Sequence, residues 1–172
     1  MFAIVTGRFN NETRDANYAY RKKRNLACVY SCPSQLSAKI HYNTPVFVIE
    51  MNNSTNKIEG IGLIKNNHEK DKYYKIHSDS NTNRYTYIGK HFIDRDTIDN
   101  FNSRLVYILE EILFKGKTHS KRGCGLTLFP EKVLTFDICK EFDIKKEIKK
   151  LFIYHYREKN EDVNELTNNE EF

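Results

Sequence analysis

The sequence predicts an α+β fold, a small bent β-barrel of about five to six strands with flanking helices, and three observations carry that expectation. The runs 46–51 (VFVIEM) and 58–65 (IEGIGLIK) are apolar and β-rich, and the turn-forming NNSTNK joins them as a hairpin. Gly60 and Gly62 stand two positions apart in the second run, where glycine weakens a strand unless a bend, a barrel corner or a ligand needs the space. They are expected to open one sheet face as a pocket. Residues 97–114 then place Ile98, Phe101, Leu105, Ile108, Leu109, Ile112 and Leu113 at three- and four-residue spacing, a helix with one apolar face for the sheet.

The remaining elements follow in chain order. A short buried strand over 2–6 closes at Gly7, with Arg8 next. Residues 12–25 carry too few large aliphatic side chains for a core helix, but they interleave Tyr18 and Tyr20 with Arg21, Lys22, Lys23 and Arg24. Such a surface can stack on bases and neutralise phosphates; a solvated loop or a nuclear-import-like patch is the other reading. A strand over 26–30 breaks at 31–33. After a polar loop, 73–77 and 84–93 read as sheet, with Tyr85, Tyr87 and Gly89 on one face, where the tyrosines either pack as staves or line a base-sized cavity. Asp96 is the expected N-cap of the long helix, and Gly116 ends it. A strand over 126–129 meets Pro130, and a terminal helix covers 137–157, with Asp143 as an alternative start for a second helix.

At 172 residues with 39% apolar content, the chain fits one domain over 1–157. Residues 158–172 hold six carboxylates and one lysine and are expected to form an acidic, disordered tail. Removing them from the totals of 28 Lys and Arg and 23 Asp and Glu leaves 27 against 17, so the folded part carries +10 rather than the overall +5. That balance suits a phosphate-rich partner. No apolar run approaches the ~20 residues of a membrane span and no signal-peptide core is present, so a non-membrane, intracellular protein is expected. Four cysteines do not make a disulfide framework, which agrees with a reducing compartment. Abundant Asn, Lys, Ile and Tyr point to an A/T-rich genome, such as that of a large DNA virus or a protist.

The strongest phosphate-binding candidate is the segment after the long helix, with Lys115, Lys117, His119, Lys121 and Arg122 and no acidic residue between Glu111 and Glu131. Gly123 and Gly125 flank Cys124 and let backbone N–H groups approach an anion. A metal site is not expected. Cys28 and Cys32 lack a matching second pair, although His41, His119, Cys124 and Cys139 exist elsewhere. A metal-dependent nuclease would draw on Glu50, Glu59, Asp94 and Asp96, which form no spaced acidic motif. No P-loop, dinucleotide fingerprint or nucleophile elbow occurs, and no cofactor is expected.

The hairpin, the strand RYTYIGKHFI and the helix followed by KGKTHSKRGCG together resemble a group of giant-DNA-virus proteins over most of 1–157. Through IEGIGLI they more distantly resemble the PUA-like superfamily of EVE, YTH and ASCH domains. That resemblance implies a small bent barrel with helices at its ends, binding RNA or a modified base. The chain has no Trp, so a base cage would be built from Tyr or Phe. The expected function is a non-enzymatic nucleic-acid-binding module for RNA or single-stranded DNA. Its expected contacts are Arg8, Arg21, Lys22, Lys23, Arg24, Lys115, Lys117, His119, Lys121 and Arg122, with Tyr18, Tyr20, Gly60, Gly62, Tyr85 and Tyr87 forming a pocket. The alternative is a virion or machinery subunit whose basic surface meets viral or host proteins or packaged genome; a metal-dependent nuclease is third. The expected location is the cytoplasm or nucleus of an infected host cell, or the virion.

Overall fold

The computed structural model describes residues 1–157; the expected acidic tail, 158–172, lies outside them. Seven strands and three helices follow one another as β1 (Ala3–Phe9), α1 (Asn11–Arg24), β2 (Cys28–Cys32), β3 (Pro45–Asn52), β4 (Lys57–Lys65), β5 (Tyr85–Gly89), β6 (His91–Asp94), α2 (Arg95–Phe114), β7 (Leu126–Leu128) and α3 (Ile144–Tyr156). Two 3-10 turns, Glu131–Thr135 and Asp137–Cys139, precede α3. The architecture is α+β. A five-stranded sheet has the order β6-β4-β3-β1-β7, and β2 pairs with β5 in a separate two-stranded sheet. No ladder joins the two sheets among the described residues, so the expected closed barrel is not formed there.

The β3–β4 hairpin forms as its alternation dictates, with Val48 opposite Gly62 and Glu50 opposite Gly60. The register then shifts, because Met51 pairs with Ile58 and Glu59 is left as the extra residue of a bulge. β1 lies parallel to β3, with Thr6 against Ile49, and runs through Gly7 to Phe9 instead of stopping at the glycine. Period-two alternation gives the sheet two different faces. Phe47, Ile49, Met51, Ile61 and Leu63 meet Leu105, Leu109, Ile112, Leu113, Ile148, Leu151 and Phe152 of α2 and α3. Val5, Val46, Val48 and Ile64 face the other way, toward Cys28, Tyr30 and Tyr87 of the small sheet.

β5 and β6 are almost one strand, and the chain changes sheets at Lys90 between them. The corner is tight because Gly89 presses on β4, so close that a Cβ there would lie 2.2 Å from the Leu63 carbonyl oxygen. Asp94, not Asp96, caps α2: its carboxylate accepts a 2.8 Å hydrogen bond from the Thr97 amide. Asp143 caps α3 by accepting from the Lys146 amide, so the terminal element divides at Asp143.

Two segments depart from the sequence reading. Residues 73–77 are not a strand, although Tyr74 and Ile76 are buried beside Val29. The Asn83 side chain accepts from the amides of Ile76 and His77 and donates to the His77 carbonyl, replacing a β-ladder with side-chain bonds. Residues 11–24, read as a surface arm, are a helix. Asn10 and Thr13 cap it reciprocally, and Asn25, in the left-handed region at φ 53°, closes it.

The room beside Gly60 and Gly62 is filled by the protein itself, which corrects the expectation of a ligand pocket at that face. A Cβ on Gly62 would lie 2.1 Å from the Tyr30 hydroxyl, and one on Gly60 would lie 2.5 Å from the Phe92 ring. Gly62→Ala should therefore lower stability by about 1–3 kcal/mol, the usual cost of overpacking. Gly7→Ala, where a Cβ meets the ends of the Leu126 and Val48 side chains at 3.0 and 3.4 Å, should cost clearly less. Equal urea midpoints for the two variants would contradict this packing.

Candidate nucleic-acid interface

The interface is built outward from a charge pair inside the fold. Glu50 is on the central strand β3 and is fully buried, at 0% exposure. Arg21 of α1, 6% exposed, forms an ion pair with it, and the Tyr30 and Tyr18 hydroxyls donate to the same carboxylate at 2.7 and 2.9 Å. The guanidinium also lies over the rings of Tyr18, Phe92 and Tyr30, with centroids 4.6, 4.9 and 5.4 Å away. Burial opposes its charge, but Glu50, with Tyr30 behind it, more than offsets this and raises its pKa above the ordinary arginine value. Burial, and then the Glu50 charge, likewise keep Tyr18 and Tyr30 protonated as donors.

Arg21 and Tyr18 therefore act inside the fold and not as an exposed stacking surface. Lys22, Lys23 and Arg24 remain exposed in the last turn of α1, where cations complement the helix dipole. Tyr20 is half-buried beside Val29, Tyr74 and Ile76, and the Arg24 guanidinium lies 5.7 Å from its ring centroid. Tyr87 is buried in the second core, where its hydroxyl accepts from the Leu36 amide, and half-buried Tyr85 packs against the same core. Gly60, Gly62 and Tyr87 are thus packed against the protein's own side chains.

A different cleft, of about 170 Å³, opens at the end of β1. Its lining includes Arg8, Phe9, Thr13, Tyr30, Ser31, Pro33, His77, Thr82, Gly123, Cys124 and Gly125, with no Asp or Glu. Four separate segments border it: the end of β1 with the first turn of α1, the end of β2, the 77–82 loop and the 123–126 loop. Arg8 is held by Nε to the Ser120 carbonyl at 2.5 Å and by Nη1 to Thr127 Oγ1 at 2.8 Å, while Nη2 makes no hydrogen bond among the described residues. Both partners are neutral. Burial lowers its pKa from the ordinary arginine value, partly offset by Cys124.

The expected phosphate loop reaches this cleft through its two glycines. Gly123 and Gly125 have φ of +110° and +67°, a region that favours glycine, and a Cβ on Gly123 would lie 3.4 Å from the centre of the Arg8 guanidinium. Lys117 and Arg122 are exposed, whereas Lys121 and His119 are partly covered. The loop is anchored by the Ser120 amide donating to the Leu113 carbonyl and by Asn53 donating to the Lys121 carbonyl. Lys115 is paired with Glu111, which raises its pKa and takes it out of the free positive set. Comparison with protein-family models, curated proteins and solved structures returned no match.

Among the described residues, no group of three or more His, Cys, Asp and Glu side chains is placed to hold a metal ion. Glu59 pairs with Arg14, and Asp94 is a helix cap, so the acidic residues named for metal-dependent cleavage have separate tasks. No helix of the described residues is long and apolar enough to cross a membrane. Sequence reading missed Tyr30, Ser31, His77 and Thr82 as cleft residues because they are distant in the chain. The signal available was chemical: a loop amide in Asn83 organising 76–83, which carries His77 and Thr82 to the cleft wall.

Removing one member of a buried pair leaves the other charge unpartnered, so Arg21→Met should lower stability by about 3–5 kcal/mol. Lys22→Ala and Lys23→Ala, at exposed positions, should each change it by no more than about 0.5 kcal/mol. Chemical denaturation of the three variants checks this, and a stable Arg21→Met protein would contradict the pairing. The thiols supply a second check. Burial pushes Cys28 up to about 12 and Cys32 up to about 11, and Cys139 is also buried and raised, whereas Cys124 is exposed. A chromogenic disulfide reagent at neutral pH should titrate one thiol quickly in the native protein and all four in denaturant.

Proposed function

We propose that the chain is a nucleic-acid-binding module for RNA or single-stranded DNA, gripping the backbone at the Arg8 cleft and the basic loop beside it. The observation that carries this reading is Arg8: a partly buried guanidinium, held by two neutral acceptors, in a cleft without a carboxylate. Leaving a cation in that setting favours an anion as partner. Lys117, Lys121 and Arg122 extend the positive field on the loop that supplies Gly123 and Gly125. The rings of Phe9, Tyr30 and Pro33 give the cleft an apolar side against which a sugar or base can rest. A modified base is the special case of the same reading, held by Tyr and Phe in a chain without Trp. The two sheets are, on this reading, parts of a PUA-like bent barrel that share the corner strand around Lys90.

α1 connects the cleft to a second basic cluster. Thr13 borders the cleft, and Lys22 to Arg24 end the same helix ten residues on, about 15 Å away at 1.5 Å per residue. A single strand anchored at Arg8 can reach both. Each phosphate neutralised by Lys or Arg releases counterions, so affinity should fall steeply as salt rises. Changing Lys121 and Arg122 together to Ala should weaken binding to every sequence and flatten the salt slope by about two. Fluorescence anisotropy at several ionic strengths reads both quantities. A flat salt dependence in the parent protein, with a protein partner retained after nuclease treatment, would favour the virion or machinery subunit instead.

A further inference from the structure

We infer that Tyr73 is a stacking platform for a base of the bound strand, standing between the Arg8 cleft and the basic end of α1. This deepens the nucleic-acid reading and rests on it. Tyr73 is 60% exposed, and its ring has no aromatic or cationic partner among the described residues. Its hydroxyl, in contrast, is fixed: it accepts a 3.2 Å hydrogen bond from Asn83 Nδ2, and Asn83 is buried. A ring held at its polar end and open along its body offers contact area at little cost in side-chain freedom. Tyr42 and Tyr107 are exposed to a similar degree, but their hydroxyls make no hydrogen bond among the described residues, and scattered surface rings of that kind are ordinary.

The same amide places the ring beside the cleft. Asn83 Nδ2 also donates to the carbonyl of His77, a cleft residue, and the two bonds, 3.2 and 2.7 Å long, keep the Tyr73 hydroxyl within about 6 Å of that carbonyl. On its other side Tyr73 adjoins α1. Its neighbour Tyr74 is buried in one cluster with Val29, Tyr20 packs against that cluster, and Tyr20 is one turn from Lys23 and Arg24. Lys72 and Lys75 flank the position in the chain and are exposed, with Asp71 as the adjacent carboxylate. A strand that runs from Arg8 to the last turn of α1 therefore passes this ring. Stacking tolerates any sequence because every base has a π-face, so Tyr73 adds affinity for bases that the cations, which act on phosphates, do not supply.

The test compares, on the full chain, a short single-stranded oligonucleotide with an abasic strand of the same length and charge. Tyr73→Ala should weaken binding of the base-containing strand at least about fivefold, the lower end of what one stacked base contributes, and leave the abasic affinity and the salt slope unchanged. Tyr73→Phe keeps the ring and should retain most of the affinity, while Tyr42→Ala and Tyr107→Ala should alter the binding of neither strand. Asn83 keeps the His77 and Asp79 carbonyls as acceptors in the Tyr73 variants, so the loop should hold, and circular dichroism checks the fold. Parent-like binding of the base-containing strand by Tyr73→Ala, an equal loss on both strands, or an equal loss in Tyr107→Ala overturns this inference and leaves the module reading standing. No binding of either strand by the parent protein overturns both.

Discussion

The Glu50 carboxylate, fully buried in the central strand, is the constraint that arranges the rest of this face of the protein. A carboxylate out of water is very costly unless it is paired and hydrogen-bonded, so three neighbours must converge on it. Arg21 supplies the charge, and Tyr18 and Tyr30 supply two hydroxyl donors. Those demands fix α1 over the sheet and β2 opposite β4. They also explain Gly62, since a side chain at that position would occupy the place of the Tyr30 hydroxyl. The charge pair serves as a register device: each partner belongs to a different element, and a slip of one residue in β3 would turn Glu50 to the apolar face.

Tyr30 carries that constraint to the Arg8 cleft. Its hydroxyl is bound to Glu50, while its ring forms part of the cleft wall. The cleft is thus backed by a rigid side chain whose orientation is set in the core, the arrangement that binding sites need to hold their geometry. Arg8 is positioned from the opposite direction, by the Ser120 carbonyl and the Thr127 hydroxyl. It reaches those partners because β7 pairs antiparallel with β1, with Thr6 against Thr127. A basic residue near the end of the first strand and a loop more than a hundred residues later therefore share one cleft through a strand of three residues.

What could be read from the sequence was whatever the hydrophobic period records. The β3–β4 hairpin and α2 show apolar repeats of two and of three to four residues, and both formed, α2 with a kink at Asn102, whose backbone is not helical. α1 was not readable in that way because its buried stripe is polar: Asn17 donates to the Val29 carbonyl and Arg21 pairs with Glu50, so a burial signal based on apolar residues is silent. The 73–77 segment erred in the opposite sense. Tyr74 and Ile76 gave it the alternation of a strand, but Asn83 took the amides that a neighbouring strand would have bonded. For the site, Arg8 and the Gly123–Gly125 loop were legible as local chemistry, and the wall from Tyr30, His77 and Thr82 was not, because it exists only after three separate elements meet.

Net charge alone misplaces the positive surface, and ion pairing inside the fold corrects it. Arg14, Arg21, Arg95, Lys115, Lys140, Lys145 and Lys150 each have a carboxylate partner, so they and their partners contribute little field at a distance. These pairs leave the sum over 1–157 unchanged at +10. Arg8, Lys22, Lys23, Lys117, Lys121 and Arg122 have no ion pair among the described residues, and they stand at the cleft, on the loop beside it and at the far end of α1. Charges spaced further apart than a Debye length of about 8 Å act on separate groups, so the field near the surface is set by local clusters and not by the total. The positions of the unpaired cations, more than their number, decide where such a field is strongest.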